Sequence, residues 1–257
     1  MTRKSLRLME TDHTTATVVL IHGAWHGAWC WDRVVPLLEA ADVPTVAVDL
    51  PGHGASTDPL GDLYTHAAFV HDLLDGIDGP IVLCGHSYGG AVISEAAAGI
   101  DSVRHLVYLC AIVPEVGETL GTVMADTVTP EQGRSELSSA MQVHDDNTMT
   151  LDLDAAVPVF YDDCGDDDVA AARKQISKHS AVSFGQPLRA AAWHDIPSTY
   201  VICTKDRAIN PEFQRALATR TTASVEWPTS HSPFFSRPDL LADLLIGLAE
   251  DAAAGES

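Results

Sequence analysis

Along the 257 residues, short runs of consecutive apolar, mostly β-branched side chains alternate with stretches whose apolar positions recur every three or four residues. The runs are "ATVVLIH" (16–22), "TVAVDL" (45–50), "IVLCGH" (81–86), "VRHLVYLCA" (103–111), "STYVICT" (198–204) and "ASVEW" (223–227). Nearly continuous apolar character, without strict alternation, predicts strands covered on both faces. Between and after them, "WDRVVPLLEAA", "YTHAAFVHDLLDGI", "YGGAVISEAAAGI", "PEFQRALATR" and "DLLADLLIGLAEDAAA" have the i, i+3, i+4 spacing of amphipathic helices. Strand and helix in turn predict a parallel sheet with right-handed crossovers and helices on both sides.

The alternation stops between about 112 and 194, a span too long for a bare loop. It predicts a mainly helical cap over the carboxyl edge of the sheet, with a small hairpin around "TMTLDLD". The expected division is an N-terminal arm at 1–15, an α/β core at 16–111 and 195–257, and a cap at 112–194. Within the cap, "DDCGDDD" (162–168) invites a calcium reading but lacks the glutamate that closes an EF-hand loop. Acidic residues ahead of "VAAARKQIS" fit an N-cap and first helical turn, which the helix dipole favours.

Composition narrows the class. With 46% apolar residues and no run near the ~18 needed to span a bilayer, the chain reads as a soluble globular protein with no membrane partner. Thirty-six acidic side chains against 15 basic ones give a formal charge of -21, which repels phosphate backbones and argues against nucleic acid as a partner. The N-terminus has early positive charge but no apolar region behind it, so no secretory signal is expected. Five cysteines without paired spacing predict reduced thiols, a cytoplasmic location and no C-x-x-C metal or redox site. Monomer and homodimer both stay open.

The chemistry is concentrated in Gly85-His86-Ser87-Tyr88-Gly89, a G-x-S-x-G pattern preceded by a predicted strand and followed by a predicted helix. In that context the serine sits on a tight strand-to-helix turn that lifts its oxygen above the sheet, and small residues two positions to either side let the backbone turn. An ordinary N-cap serine is the competing reading. A serine hydroxyl needs a base to take its proton and a third group to hold the base. In the order serine, acid, histidine, Asp206 follows the strand in "YVICTKDRAI" and His231 follows the last strand in "VEWPTSHSPFF". Of the 12 histidines only His231 lies beyond Asp206. Turn chemistry is the bland alternative for Asp206. The backbone amide of Tyr88 and that of Ala24, in "IHGAWHGAWCW", are the expected oxyanion donors. Trp25 borders the expected substrate pocket, with Met124, Phe160 and Tyr161 as further lining; plain core packing competes for those three.

"HGAWHGAWCWDRVVPLLEA", "VAVDLPGHGAS", "GHSYGG" and "CTKDRAINPEFQ" followed by His231 resemble the α/β-hydrolase superfamily, in particular bacterial relatives of the plant methylesterase and hydroxynitrile lyase family. The likeness covers about 16–111 and 197–250; "FYDDC" in the cap is also similar. It implies an α/β-hydrolase fold, with a mostly parallel central sheet, helices on both faces and a mainly helical cap inserted after the sixth strand. It further implies a serine esterase that uses Ser87, Asp206 and His231, needs no cofactor and takes a small, largely apolar ester. The chain departs from the lyase branch at Gly23, where a hydroxylated residue is expected, and at Ser232, where a lysine is expected. Loss of that ammonium removes the support for departing cyanide and leaves ester hydrolysis untouched. Hydroxynitrile lysis, lactone opening and carbon–carbon cleavage remain rival uses of the same residues, and a small-molecule sensor with little turnover is the rival from another class.

Overall fold

The computed structural model describes residues 15–126 and 136–255. The expected arm therefore falls almost wholly outside the described residues, as does part of the expected cap. In chain order the first half of the core holds β1 (Thr17–Ile21), α1 (Val35–Ala40), β2 (Thr45–Val48), α2 (Leu63–Asp75), β3 (Ile81–His86), α3 (Gly89–Ala96) and β4 (Val103–Leu109). A long segment follows with α4 (Leu120–Asp126), α5 (Leu137–Ala140), β5 (Met141–Val143), β6 (Thr148–Leu151), α6 (Leu153–Phe160), α7 (Asp166–Gln175), β7 (His179–Ser180) and α8 (Val182–Gly185). The chain then returns through β8 (Ser198–Cys203), α9 (Pro211–Ala218), β9 (Ala223–Trp227), α10 (Pro233–Ser236) and α11 (Pro238–Ala254).

All six apolar runs form strands of one sheet, ordered β2-β1-β3-β4-β8-β9, and every pair is parallel. Every residue of β3 and β8 is buried, which is why their sequences carry no polar alternation. Helices α1 and α11 pack together against the sheet, as do α2 and α3. Their ends follow side-chain chemistry. Asp62 accepts the Thr65 amide at the start of α2, Asn210 accepts the Glu212 amide at the start of α9, and α11 opens on Pro238 and stops at Gly255 with φ +75°.

The described residues between β4 and β8 form a cap packed on the loops that follow β1 and β2. Among the described residues it leaves the sheet after the fourth strand in chain order, not the sixth as expected, because the sheet holds only four strands before it. The expected hairpin is present, with β5 antiparallel to β6, and β7 adds a third strand that its two residues did not announce. Asp166, Asp167 and Asp168 form the acidic first turn of α7, though the N-cap itself is Gly165. All five cysteines are free, and among the described residues no helix is long and apolar enough to cross a membrane.

Candidate active site

Strand order reverses direction between β1 and β3, since the chain runs from β1 outward to β2 and then back past β1 to β3. Loops leaving the two strands diverge there and open a crevice, the usual ligand position in a parallel sheet. Ser87 stands at the end of β3 with φ +54°, a left-handed conformation that costs a non-glycine residue free energy. Its neighbours cannot carry side chains. A Cβ on Gly85 would lie 2.6 Å from the Gly89 carbonyl oxygen, and one on Gly89 would lie 2.8 Å from that of Ile21. The strained serine is held by its amide donating to Leu109 O at 3.1 Å and by its carbonyl accepting from Gly90 N and Ile112 N, both at 3.1 Å.

Asp206 and His231, in the loops after β8 and β9, meet with both side chains fully buried: His231 Nδ1–H donates to Asp206 Oδ2 at 2.6 Å. That bond fixes the tautomer and leaves Nε2 as a lone-pair acceptor. His231 Nε2 is buried and has no hydrogen-bond partner, so the Ser87 hydroxyl is not bonded to it in this structure. Such contacts are often loose without substrate and tighten on binding. The His86 ring lies 4.6 Å from His231, tilted by 53°, and donates from Nε2 to its carbonyl at 2.9 Å.

Sequence reasoning missed the residue that steadies the carboxylate. Asp206 Oδ1 accepts the Ala208 and Ile209 amides, each at 2.8 Å, and Oδ2 also accepts Gln214 Nε2 at 2.8 Å. Gln214 is fully buried on α9 and accepts the Cys203 amide at 2.8 Å as well. Its signal was a polar residue beside Phe213 and Leu217 on the apolar face of a helix, where it must find partners.

A narrow cavity of about 20 Å³, room for roughly one water, joins Ser87 to Ala24 and Tyr88 and is walled by Trp25, Leu120, Met124, Leu137 and Phe184. The Ala24 and Tyr88 amides donate to no acceptor among the described residues. Trp25 and Met124, two of the expected pocket residues, line this cavity. Phe160 and Tyr161 do not line the cavity: the Phe160 ring sits edge-on to His231 at 5.3 Å, and the Tyr161 hydroxyl bonds His26 at 2.7 Å. Aromatic residues carry no sequence mark that separates a pocket wall from the packing behind it.

Histidines reveal a second feature that sequence did not show. His22, His53, His66 and His179 are buried together, with His53 Nε2 hydrogen-bonded to His179 Nδ1 at 2.8 Å and His66 accepting from the Tyr88 hydroxyl at 2.9 Å. Burial, reinforced by their mutual repulsion, pushes the imidazoles of His22 and His179 well down, and His66 down to about 4. Burial also lowers His53 and depresses His86 strongly. Among the described residues one set of metal-ligand type, His86, Cys110 and His231, comes within 4.8 Å. Its imidazoles are already engaged with Asp206 and the His231 carbonyl.

A parallel α/β sheet, a strained serine after β3, and a buried carboxylate–imidazole pair after the last strands define a hydrolase architecture. Residues 18–244 match the model of the Alpha/beta hydrolase family, and the chain belongs to that family. A Pyrethroid hydrolase of Sphingobium wenxiniae is 32% identical over 93% of this chain and 90% of its own length, and Methylesterase 2 of Arabidopsis thaliana is 28% identical over 91% and 95%. The crystal structure of a Pyrethroid Hydrolase from Sphingobium faniae superposes with TM-score 0.82 at 31% identity, covering 93% of this chain and 99% of that one.

Proposed function

We propose that this protein is a serine carboxylesterase acting on small, largely apolar esters. The observation that carries this reading is the buried Asp206–His231 pair whose Nε2 is left without a partner. Leaving a buried acceptor unpaired costs roughly 1–3 kcal/mol, and a base kept free to take a proton from Ser87 during the reaction accounts for that cost. Ser87 Oγ attacks the ester carbonyl as His231 Nε2 takes its proton, Asp206 steadies the imidazolium, and the oxyanion draws on the Ala24 and Tyr88 amides. The proton then passes to the departing alcohol oxygen. Water, deprotonated by the same imidazole, attacks the acyl-enzyme and releases the acid, returning the proton to Ser87.

Apolar lining from Leu120, Met124, Leu137 and Phe184 supports an apolar acyl or alcohol group, as do relatives named for pyrethroid, methyl ester and carbendazim hydrolysis. Lyase chemistry is disfavoured: space above Gly23 is filled by His86 Nδ1, 2.8 Å from a Cβ built there, and a neutral Ser232 follows His231. Free buried thiols fit a reducing, cytoplasmic setting.

Wild-type protein is expected to hydrolyse a short-chain aryl ester and to take up one phosphonate label on Ser87, and Ser87→Ala is expected to lose both. Label retained by Ser87→Ala, or wild-type protein that binds the ester without releasing acid, defeats the assignment.

A further inference from the structure

The cap segment Phe160–Cys164 touches both halves of the site from behind. On one side lies the loop Ala24–His26, whose central residue Trp25 has φ +64°, a strained conformation that its surroundings must hold. His26 Nδ1–H donates to Ala24 O at 2.8 Å, so Nε2 is an acceptor and the Tyr161 hydroxyl donates to it at 2.7 Å. Burial keeps His26 neutral, with its imidazole pushed down to about 4, so this arrangement persists at neutral pH. The cap grips the same loop twice more, through Trp25 Nε1 donating to Met149 O at 3.1 Å and Ser177 N donating to Trp25 O at 3.0 Å. On the other side, Asp163 Oδ2 accepts the Ser230 amide at 2.8 Å and its Oδ1 accepts the Ser230 hydroxyl. Ser230 immediately precedes His231, which the Phe160 ring meets edge-on at 5.3 Å.

We infer that Phe160–Cys164 is a clasp by which the seated cap sets the reaction geometry: Tyr161 positions the Ala24 amide through His26, and Asp163 positions His231 through Ser230. Both are positioning residues, and the inference rests on the serine esterase reading above. Its physical content is that bonds made by one five-residue segment orient an oxyanion donor and a base that lie more than 200 residues apart in the chain. Cap seating and competence for catalysis are then one event.

Tyr161→Phe keeps the ring and removes the donor. Loss of an entire oxyanion donor lowers kcat by about 10²–10³; a donor that is merely loosened should cost less, about tenfold in kcat, with KM unchanged. Affinity for a trifluoromethyl ketone, whose adduct carries an oxyanion, should fall in proportion, while the product acid binds as before. Asp163→Asn should lower kcat likewise and serves in place of Tyr161→Phe if that variant does not fold. Equal loss of ketone and product-acid affinity, a rise in KM with kcat intact, or a lower thermal midpoint with normal kcat would assign the segment to cap packing and overturn the inference. Phosphonate labelling separates this from failure of the esterase reading. If wild-type Ser87 takes no label the reading itself is wrong, whereas a labelled wild type with unaltered variants refutes the clasp alone.

Discussion

In the sheet, β3 and β8 are buried at every position and each strand pairs in parallel with its neighbours. The cap joins the same hydrophobic cluster through residues such as Leu120, Val123 and Phe160, and adds polar bonds to the loops and helices around the sheet: His53 with His179 at 2.8 Å, Trp25 Nε1 to Met149 O at 3.1 Å, Gln186 with Leu63 N at 2.9 Å and with Asp62 at 2.8 Å, and Arg189 with Glu95 at 2.6 Å. Hydrophobic burial is non-directional and indifferent to pH, whereas such bonds are directional and some can titrate. The sheet is held by burial along β3 and β8, whereas the seam adds bonds that depend on geometry and, at its histidines, on protons.

The sharpest test of the sheet is Asp206→Asn. An asparagine facing Nδ1 stabilises the wrong tautomer, with the proton on Nε2, and the base is lost. A fall in kcat of about 10⁴ is expected, read in single-turnover acylation with the fold checked by circular dichroism. A change under tenfold would mean that the sheet loops do not carry the chemistry.

Acidification should test the seam next. The imidazoles of His22, His53, His66 and His179 are depressed by burial first and mutual repulsion second in three of the four, with His66 taken from 6.5 to about 4. The unfolded chain therefore binds more protons than the native one in that window. Stability is fully present above about 6.5 and is lost as pH falls from there towards about 4, by up to roughly 3 kcal/mol for His66 alone. Relief of repulsion in a chain of formal charge -21 acts in the opposite sense, so a net loss identifies the cluster. Urea midpoints at pH 7.5 and about 5, with proteolysis reporting where the chain opens first, should show a weakened cap. Equal midpoints would remove the histidines from the account of stability.

Glycines sharpen the comparison at smaller scale. In the core, Gly89→Ala would put a methyl 2.8 Å from Ile21 O and 2.9 Å from His22 O, and should destabilise by about 1–3 kcal/mol as overpacking. In the cap, Gly121 on α4 has its nearest atoms at 3.6 Å, so Gly121→Ala should be neutral or stabilise by about 0.5 kcal/mol. Denaturant midpoints decide, and like-signed shifts would erase the distinction.

Legibility in the sequence follows the same divide. Runs such as 81–86 and 198–203 could be read because burial on two faces leaves a local, unbroken apolar signature. The loops after β3, β8 and β9 could be placed from strand order, and Asp206 and His231, in the last two of them, are hydrogen-bonded. The seam could not be read: Trp25–Met149 and His53–His179 join residues more than 120 apart, and no periodicity records such a bond. Phe160 and Tyr161 contact His231 and His26 and do not line the cavity, and apolar content alone does not tell a pocket wall from the core packing that competes with it. The Ala24 and Tyr88 amides are backbone groups, visible only through the turn chemistry around them.

The smallest expected effects separate bonds to the backbone from ion pairing within the seam. Glu95, on α3, accepts Arg189 N at 2.6 Å and Ala190 N at 3.3 Å in addition to Arg189 Nε at 2.6 Å. The Arg189 side chain is 58% exposed and lies over the Tyr64 ring at 3.8 Å. Removing it with Arg189→Ala leaves both amides paired, so solvent screening should hold the cost below about 1 kcal/mol. Glu95→Ala strips two backbone donors of their acceptor and should cost about 1–2 kcal/mol. If the backbone bonds seat the cap, raising salt should narrow the Arg189→Ala effect and leave most of the Glu95→Ala effect standing. Equal and equally salt-sensitive losses would instead mean that the ion pair holds this edge of the cap.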